Sequence, residues 1–280
     1  MSSELGTWPA AVSLVMHLST LFLASLALSA SAQVHQAKLE ISSYPLVFTD
    51  IEINGVKAKA MIDTGAFMPF QVSGTLAKRL ELKLQPTGMK MSRLNGATLE
   101  LMRGRVGSLS IGNYTARDVD VNVAEGNIES VSKQVNTPYD VIIGWGFLSK
   151  YYLTLDYRHK KLGFAEQEPH AAPGSAVPFR TFHGAPLFDA TVDGKPTVVL
   201  FDTGAPTCNL DLPSTKGDPS HLESHQLQAS QLNLKLDFRP RNLEPIKKGL
   251  GAGAVAGNNL ISLYLINIDP KKGQISFAKT

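Results

Sequence analysis

Asp63-Thr64-Gly65-Ala66 and Asp202-Thr203-Gly204-Ala205 are the same tetrapeptide, 139 residues apart, each behind an apolar run. A single aspartate in such a setting is ordinarily a turn former whose carboxylate caps local amides. Two in matched settings permit other chemistry. Carboxyl groups held close together cannot both ionise cheaply, so they share a proton and their titrations separate. The ionised member can activate a water molecule, while the protonated member donates to a carbonyl oxygen and later serves a leaving amine. Asp63 and Asp202 are therefore the candidate catalytic pair. The seven histidines form no His-Glu-x-x-His pattern, and no Gly-x-Ser-x-Gly elbow occurs. Cys208 is the only cysteine, which excludes an intramolecular disulfide and a Cys-rich metal site. It reads as a buried structural thiol. No metal or cofactor is expected.

The elements that must position this pair repeat as well. Asn54-Gly55 and Asp193-Gly194 stand nine and eight residues ahead of their aspartates, each between a strand-like run and its return into the tetrapeptide. This is hairpin chemistry. Each half also ends alike. Val141-Ile142-Ile143-Gly144 and Val255-Ala256-Gly257 predict an apolar strand followed by a short helical turn and a closing hairpin, near 152–164 and 264–277. Alternating apolar residues at 153 and 155, and at 266 and 268, fit strands with one face on a core. Helix is minor, with one expected over Gly74–Leu82. Asp156 and Asp269 match each other but sit at hairpin ends ahead of basic residues, and they read as turn formers. His159 and His183 read as surface or loop residues.

A chain of 280 residues can bury one large core or two moderate ones. Its 27 Lys and Arg against 24 Asp and Glu leave a formal charge of +3, too small and too scattered for a nucleic-acid partner. Leu18–Leu28 is a short apolar run followed by Ala30-Ser31-Ala32, a small-x-small cleavage pattern. The expected organisation is a signal peptide (1–32), an N-terminal lobe (33–165), a linker (166–176) rich in Ala, Pro and Gly, and a C-terminal lobe (177–280). Periplasmic or secreted localisation follows from a cleaved signal. From Asp63 to Gly144 is 81 residues, against 55 from Asp202 to Gly257. The extra length includes Leu84–Val106, where a hairpin with Asn95-Gly96 at its tip could cover a ligand. Met89, Met91 and Leu94 are the side-chain candidates for lining such a pocket. Lys216–Arg241 is polar and resists placement.

With these motifs in view, the chain resembles the aspartic protease family. The paired Asp-Thr-Gly-Ala loops, the apolar-apolar-Gly strands and the closing hairpins carry the resemblance over residues 36 to 280. It implies an all-β, bilobal fold of two duplicated barrel-like lobes, pepsin-like in its single-chain organisation, with an active site at the interlobe cleft. Ala66 and Ala205 are the bacterial retropepsin-like choice, where pepsin-like enzymes carry Ser or Thr. Thr64 and Thr203 are expected to cross-link the loops through hydroxyl-to-backbone bonds. Gly65 and Gly204 let backbone approach the carboxylates, and the alanines pack beneath. The flap tyrosine typical of pepsin-like enzymes is absent. The resemblance implies a monomeric endopeptidase acting on an extended peptide or unfolded protein. The alternative is a non-catalytic peptide-binding or envelope structural protein on the same scaffold.

Overall fold

The computed structural model describes residues 33–92, 98–169, 172–212 and 221–279. The expected signal peptide, Leu94 and the Asn95-Gly96 tip lie outside the described residues. Residues Ala32–Thr280 make one compact unit.

The first half contains β1 (Val34–Lys38), β2 (Glu40–Ile41), β3 (Val47–Ile53), β4 (Val56–Asp63), β5 (Phe70–Val72), α1 (Gly74–Arg79), β6 (Gln85–Ser92), β7 (Thr98–Ile111), β8 (Tyr114–Val123), α2 (Asn127–Gln134), β9 (Val141–Gly144), α3 (Trp145–Leu148), β10 (Tyr152–Asp156) and β11 (Lys161–Ala165). The second contains β12 (Ser175–Pro178), β13 (Arg180–Phe182), β14 (Ala185–Val192), β15 (Lys195–Phe201), β16 (Cys208–Asp211), β17 (Glu223–Ala229), β18 (Leu232–Arg241), α4 (Glu244–Leu250), β19 (Ala254–Ala256), α5 (Asn258–Ile261), β20 (Tyr264–Asp269) and β21 (Gln274–Lys279).

Two of the three sheets curl into barrel-like lobes. One runs β2-β3-β4-β9-β5-β8-β7-β6 and closes through β3 and β7; the other runs β13-β14-β15-β19-β16-β18-β17 and closes through β14 and β17. Seven strands, β2-β3-β4-β9-β5-β8-β7 and β13-β14-β15-β19-β16-β18-β17, correspond in order: β4 lies parallel to β9 as β15 does to β19, and β5 parallel to β8 as β16 does to β18. The fold is therefore duplicated and largely β. Strand patterning explains it. In β3, Ile51 and Ile53 are buried while Asp50 and Glu52 face outward, the alternation a half-buried strand requires. Asn54 and Gly55, and Asp193 and Gly194, all have positive φ, so both hairpins turn through the primed geometry that matches strand twist.

The closing hairpins do not complete their own lobes. They leave the barrels and join in a third sheet, β1-β11-β10-β20-β21-β12, in which β10 of the first half pairs with β20 of the second. Leu153 and Leu155 oppose Ile268 and Ile266 across that seam, and all four are buried. The alternation that predicts strands with one face on a core here serves a sheet common to both halves. Ser175 and Ala176, at the end of the expected linker, already pair with β21 in it. The expected helix over Gly74–Leu82 is shorter: Ser73 caps it by accepting from Leu76 N at 3.0 Å, and positive φ at Glu81 ends it. Within the polar stretch 216–241 the described residues contain the hairpin β17–β18. β18 alternates, with Leu232, Leu236 and Phe238 buried and Asn233, Lys235 and Asp237 exposed.

Candidate active site

Each Asp-Thr-Gly-Ala segment is delivered by a strand lying against its brace. Asp63 ends β4 opposite Gly144 of β9; Phe201 ends β15 opposite Ala256, and Asp202 N donates to Ala256 O at 3.0 Å. The brace then returns a bond to the loop. Trp145 N donates to Ala66 O and Asn258 N to Ala205 O. At Gly144 and Gly257 φ is −101° and −102°, so glycine is not needed there for conformation. It is needed for space. A Cβ on Gly144 would stand 2.1 Å from Met68 O and 2.5 Å from Ala66 O; one on Gly257 would stand 2.4 Å from Thr207 O.

The two loops are locked by their threonines. Thr64 N donates to Thr203 Oγ1 at 3.0 Å, and Thr203 N to Thr64 Oγ1 at 3.0 Å. Each hydroxyl in turn donates to a carbonyl across the interface, Thr64 Oγ1 to Phe201 O and Thr203 Oγ1 to Ile62 O, both at 2.8 Å. Both threonines are fully buried. Four bonds therefore fix one loop against the other with two-fold regularity, as the sequence predicts.

This lock brings the carboxyl groups together. Each aspartate's carboxyl group is set against the opposite loop, Asp202 against Gly65 and Asp63 against Gly204, and both residues are half-buried. Asp63 Oδ1 accepts from Gly65 N at 2.9 Å and Ala66 N at 3.0 Å, and Asp202 Oδ1 from Gly204 N at 2.8 Å. A Cβ on Gly65 would lie 2.6 Å from the Asp202 carboxyl carbon, and one on Gly204 2.5 Å from that of Asp63; any larger residue would collide with the partner's carboxylate. Burial, then the Asp202 charge and hydrogen bond, hold Asp63 well above the usual aspartate range. Burial also raises Asp202, opposed by the amide of Gly204 and the bond from Asp63. Both carboxyl groups thus hold a proton to higher pH than an isolated aspartate does.

The alanines line apolar clusters behind the loops. Ala66 packs against Leu46, Phe48, Met61, Tyr139 and Ile142; Ala205 joins Leu187, Leu200, Leu243, Ala252 and Val255. Of the pocket candidates, Met91 packs against Met68, Leu101 and Ala124 at the base of the β6–β7 hairpin, whereas Met89 is 53% exposed. Among the described residues β6 has no counterpart in the second half. Asp156 and Asp269 act as turn formers: Asp156 accepts from His159 N at 2.9 Å, and Asp269 from Lys271 N and Lys272 N at 3.0 Å. His183 sits in a hairpin turn with positive φ. Cys208 is buried, which pushes its thiol up to about 11, and it accepts from Gly257 N. Among the described residues no group of three or more His, Cys, Asp or Glu could hold a metal ion.

Several supporting residues have no signature in the sequence. Asn258 Nδ2 donates to Thr203 O at 2.7 Å, and Tyr157 OH donates to Asn258 Oδ1. At the matching place in the first half stands Trp145, whose Nε1 donates to Thr181 Oγ1 at 3.2 Å in the second half. Beside Asp202 lies a cavity of about 230 Å3 lined by Tyr44, Thr207, Asn209, Arg239 and Arg241, among others. Larger cavities, of about 730 and 720 Å3, contain neither aspartate of the pair.

The model of a family described as "gag-polyprotein putative aspartyl protease" matches residues 49–150, from β3 through α3. The match and the duplicated barrels point to distant homology with the aspartic-protease superfamily. The matched span holds the Asp63 loop and its brace; the Asp202 loop lies beyond it, connected to the first by the internal duplication. No curated protein matches the chain.

Proposed function

We propose that this chain is an exported aspartic endopeptidase that hydrolyses extended or unfolded polypeptide through water activated by Asp63 and Asp202. The observation that carries the reading is the reciprocal Thr64–Thr203 lock, which sets the carboxyl group of each aspartate against the other's loop. The ionised carboxylate draws a proton from water as the oxygen attacks the peptide carbonyl. The protonated partner donates to the carbonyl oxygen, and the amine leaves with a proton returned through the pair. The Gly65, Ala66 and Gly204 amides keep the carboxylates oriented throughout. Because both aspartates belong to one chain, a monomer suffices. Export rests on the apolar run Leu18–Leu28 and on Ala30-Ser31-Ala32.

The test is cleavage of a denatured protein mixture between about pH 3 and pH 7, a range spanning the titration of perturbed carboxyls. Matched Asp63→Asn and Asp202→Asn proteins run in parallel. Defined peptides from the wild type, lost in both folded variants, are the expected result. A folded wild type that yields no more peptide than the variants would leave the non-catalytic peptide-binding or envelope structural reading.

A further inference from the structure

The cavity beside Asp202 holds polar groups that the fold leaves unmatched. The parallel pairing of β16 with β18 sets Asn209 beside Arg239 and Asp211 beside Arg241. Residues two apart on a strand share a face, so two guanidinium groups and two polar side chains gather along one stretch of sheet. Asp211 is already engaged, accepting from Leu243 N at 3.0 Å and Lys247 Nζ at 3.1 Å. Among the described residues, neither Arg239 nor Arg241 forms an ion pair. Arg239 Nε, Asn209 Oδ1 and Thr207 Oγ1 are each sealed from water without a hydrogen-bond partner. Asn209 is only 6% exposed, and its Nδ2 is committed to Thr207 O at 2.8 Å, which leaves the Oδ1 as a free acceptor. Buried polar atoms in a native protein nearly always have a partner. Three unmatched atoms thus lie just behind the wall of one cavity, whose lining includes two guanidinium groups without an ion pair among the described residues.

The two halves differ at this place. In the first, Tyr139 stands five residues ahead of Gly144 and fills the cluster behind Ala66, its ring 5.5 Å from that of Phe48. The equivalent residue ahead of Gly257 is Ala252, and the cluster behind Ala205 carries no aromatic ring. The pair is nearly symmetric, but the ground on either side of it is not.

Building on the endopeptidase reading, we propose that this cavity is a specificity subsite accepting a carboxylate of the substrate next to the scissile bond. The carboxylate comes from a Glu or Asp side chain or from the end of the peptide chain. Its oxygens accept from the guanidinium groups of Arg239 and Arg241, which line the cavity without an ion-pair partner among the described residues. Asp202 lines the same cavity, so a group bound there lies next to the reacting carboxylates. A Gln carboxamide could meet the same atoms and donate to Asn209 Oδ1, but it would leave both guanidinium charges unneutralised. Charge therefore decides for the carboxylate.

The experiment uses one peptide scaffold with Glu, Gln, Leu or Lys at each position flanking the cleaved bond, each with a free or amidated C-terminus. The full chain is assayed at about pH 5.5, where a free Glu is ionised. The expected result is a kcat/KM for Glu over Gln of about tenfold or more at one position, the size of a charge-assisted hydrogen bond. The Glu-to-Gln ratio falls toward one in the Arg239→Gln, Arg241→Gln double variant and is partly kept in Arg239→Lys. Because both peptides are measured on one sample, loss of folded protein cancels from the ratio. A preference for the free terminus over the amide would assign the carboxylate to the chain end. Cleavage with equal Glu and Gln rates would overturn the subsite and leave the endopeptidase standing. If no peptide is cleaved, the endopeptidase reading falls, and binding of fluorescent Glu and Gln peptides to the folded chain decides separately; equal affinities would overturn the subsite too.

Discussion

Asp63 carries a proton into the folded state that it would lose in the unfolded chain. Its carboxyl is raised well above the ordinary 3.8, first by burial and then by Asp202. A raised folded pKa means that the native state binds the extra proton. The associated stability is complete below the unfolded pKa and is lost as pH climbs through the folded one. Each unit of pH in that interval costs about 1.4 kcal/mol, and a protein of this size loses about 2–4 °C of Tm per kcal/mol. Asp63→Asn keeps the shape and removes the charge. We expect its Tm to exceed that of the wild type at pH 7 and the two to converge toward pH 4. Thermal melts across that range check it; a variant less stable than wild type at pH 7 would contradict the burial argument. Under the proposed endopeptidase function, the raised carboxyls place the alkaline limb of activity above the ordinary aspartate value. Much of this residue-level site was legible in the sequence, because each Asp-Thr-Gly-Ala segment is a local signal and the duplication presents it twice. Asn209, Arg239 and Asn258 were not legible. Their neighbours are set by strand register between segments far apart in the chain, and Arg239 looks like any exposed basic residue until β16 and β18 are paired.

At the scale of elements, the brace strands β9 and β19 hold the loops through space as much as through bonds. Gly144 has an ordinary φ, yet a methyl group there would meet the carbonyl oxygens of Met68 and Ala66. These are backbone atoms of the segment that carries Asp63, so relief of the clash must move the site. Gly144→Ala is expected to cost at least about 1–3 kcal/mol, the usual penalty for overpacking, and to lower kcat at saturating peptide. Gly249→Ala is the control: it lies in α4 with open space at its Cβ and should stabilise by about 0.5–1 kcal/mol. Urea titration of both variants, with kcat measured on folded protein, tests the pair. Equal kcat in Gly144→Ala and wild type would show that the brace does not position the loop. The apolar-apolar-Gly pattern marked these strands in advance. The β17–β18 hairpin is half legible: β18 alternates strictly, with Leu232, Leu236 and Phe238 buried, whereas β17 is polar and buries only Leu227 and Ala229.

The molecule as a whole is joined at two levels, the threonine lock at the site and the sheet that β10 and β20 complete together. Two barrels tied only by a chain segment would unfold independently. Here Leu155 opposes Ile266, and Thr154 Oγ1 bonds Asn267 Oδ1 at 2.9 Å across the seam. Ile266 lies in the second half and is fully buried, so Ile266→Ala should cost about 2–5 kcal/mol. Trp145 reports on the first half, being the one tryptophan among the described residues, and its indole bonds Thr181 across the interface. The shared sheet predicts that Ile266→Ala shifts the Trp145 fluorescence transition and the far-ultraviolet circular dichroism transition to the same lower urea concentration. A fluorescence midpoint left at the wild-type value would mean that the halves melt separately. The seam could not be inferred from hairpin patterning, because burial against a common sheet and burial against a lobe's own core produce the same alternation. Coupled unfolding also bears on the site: Asp63 and Asp202 lie against each other's loops only while both loops are held, so any opening of the seam that separates the halves must release the burial that raises their carboxyls.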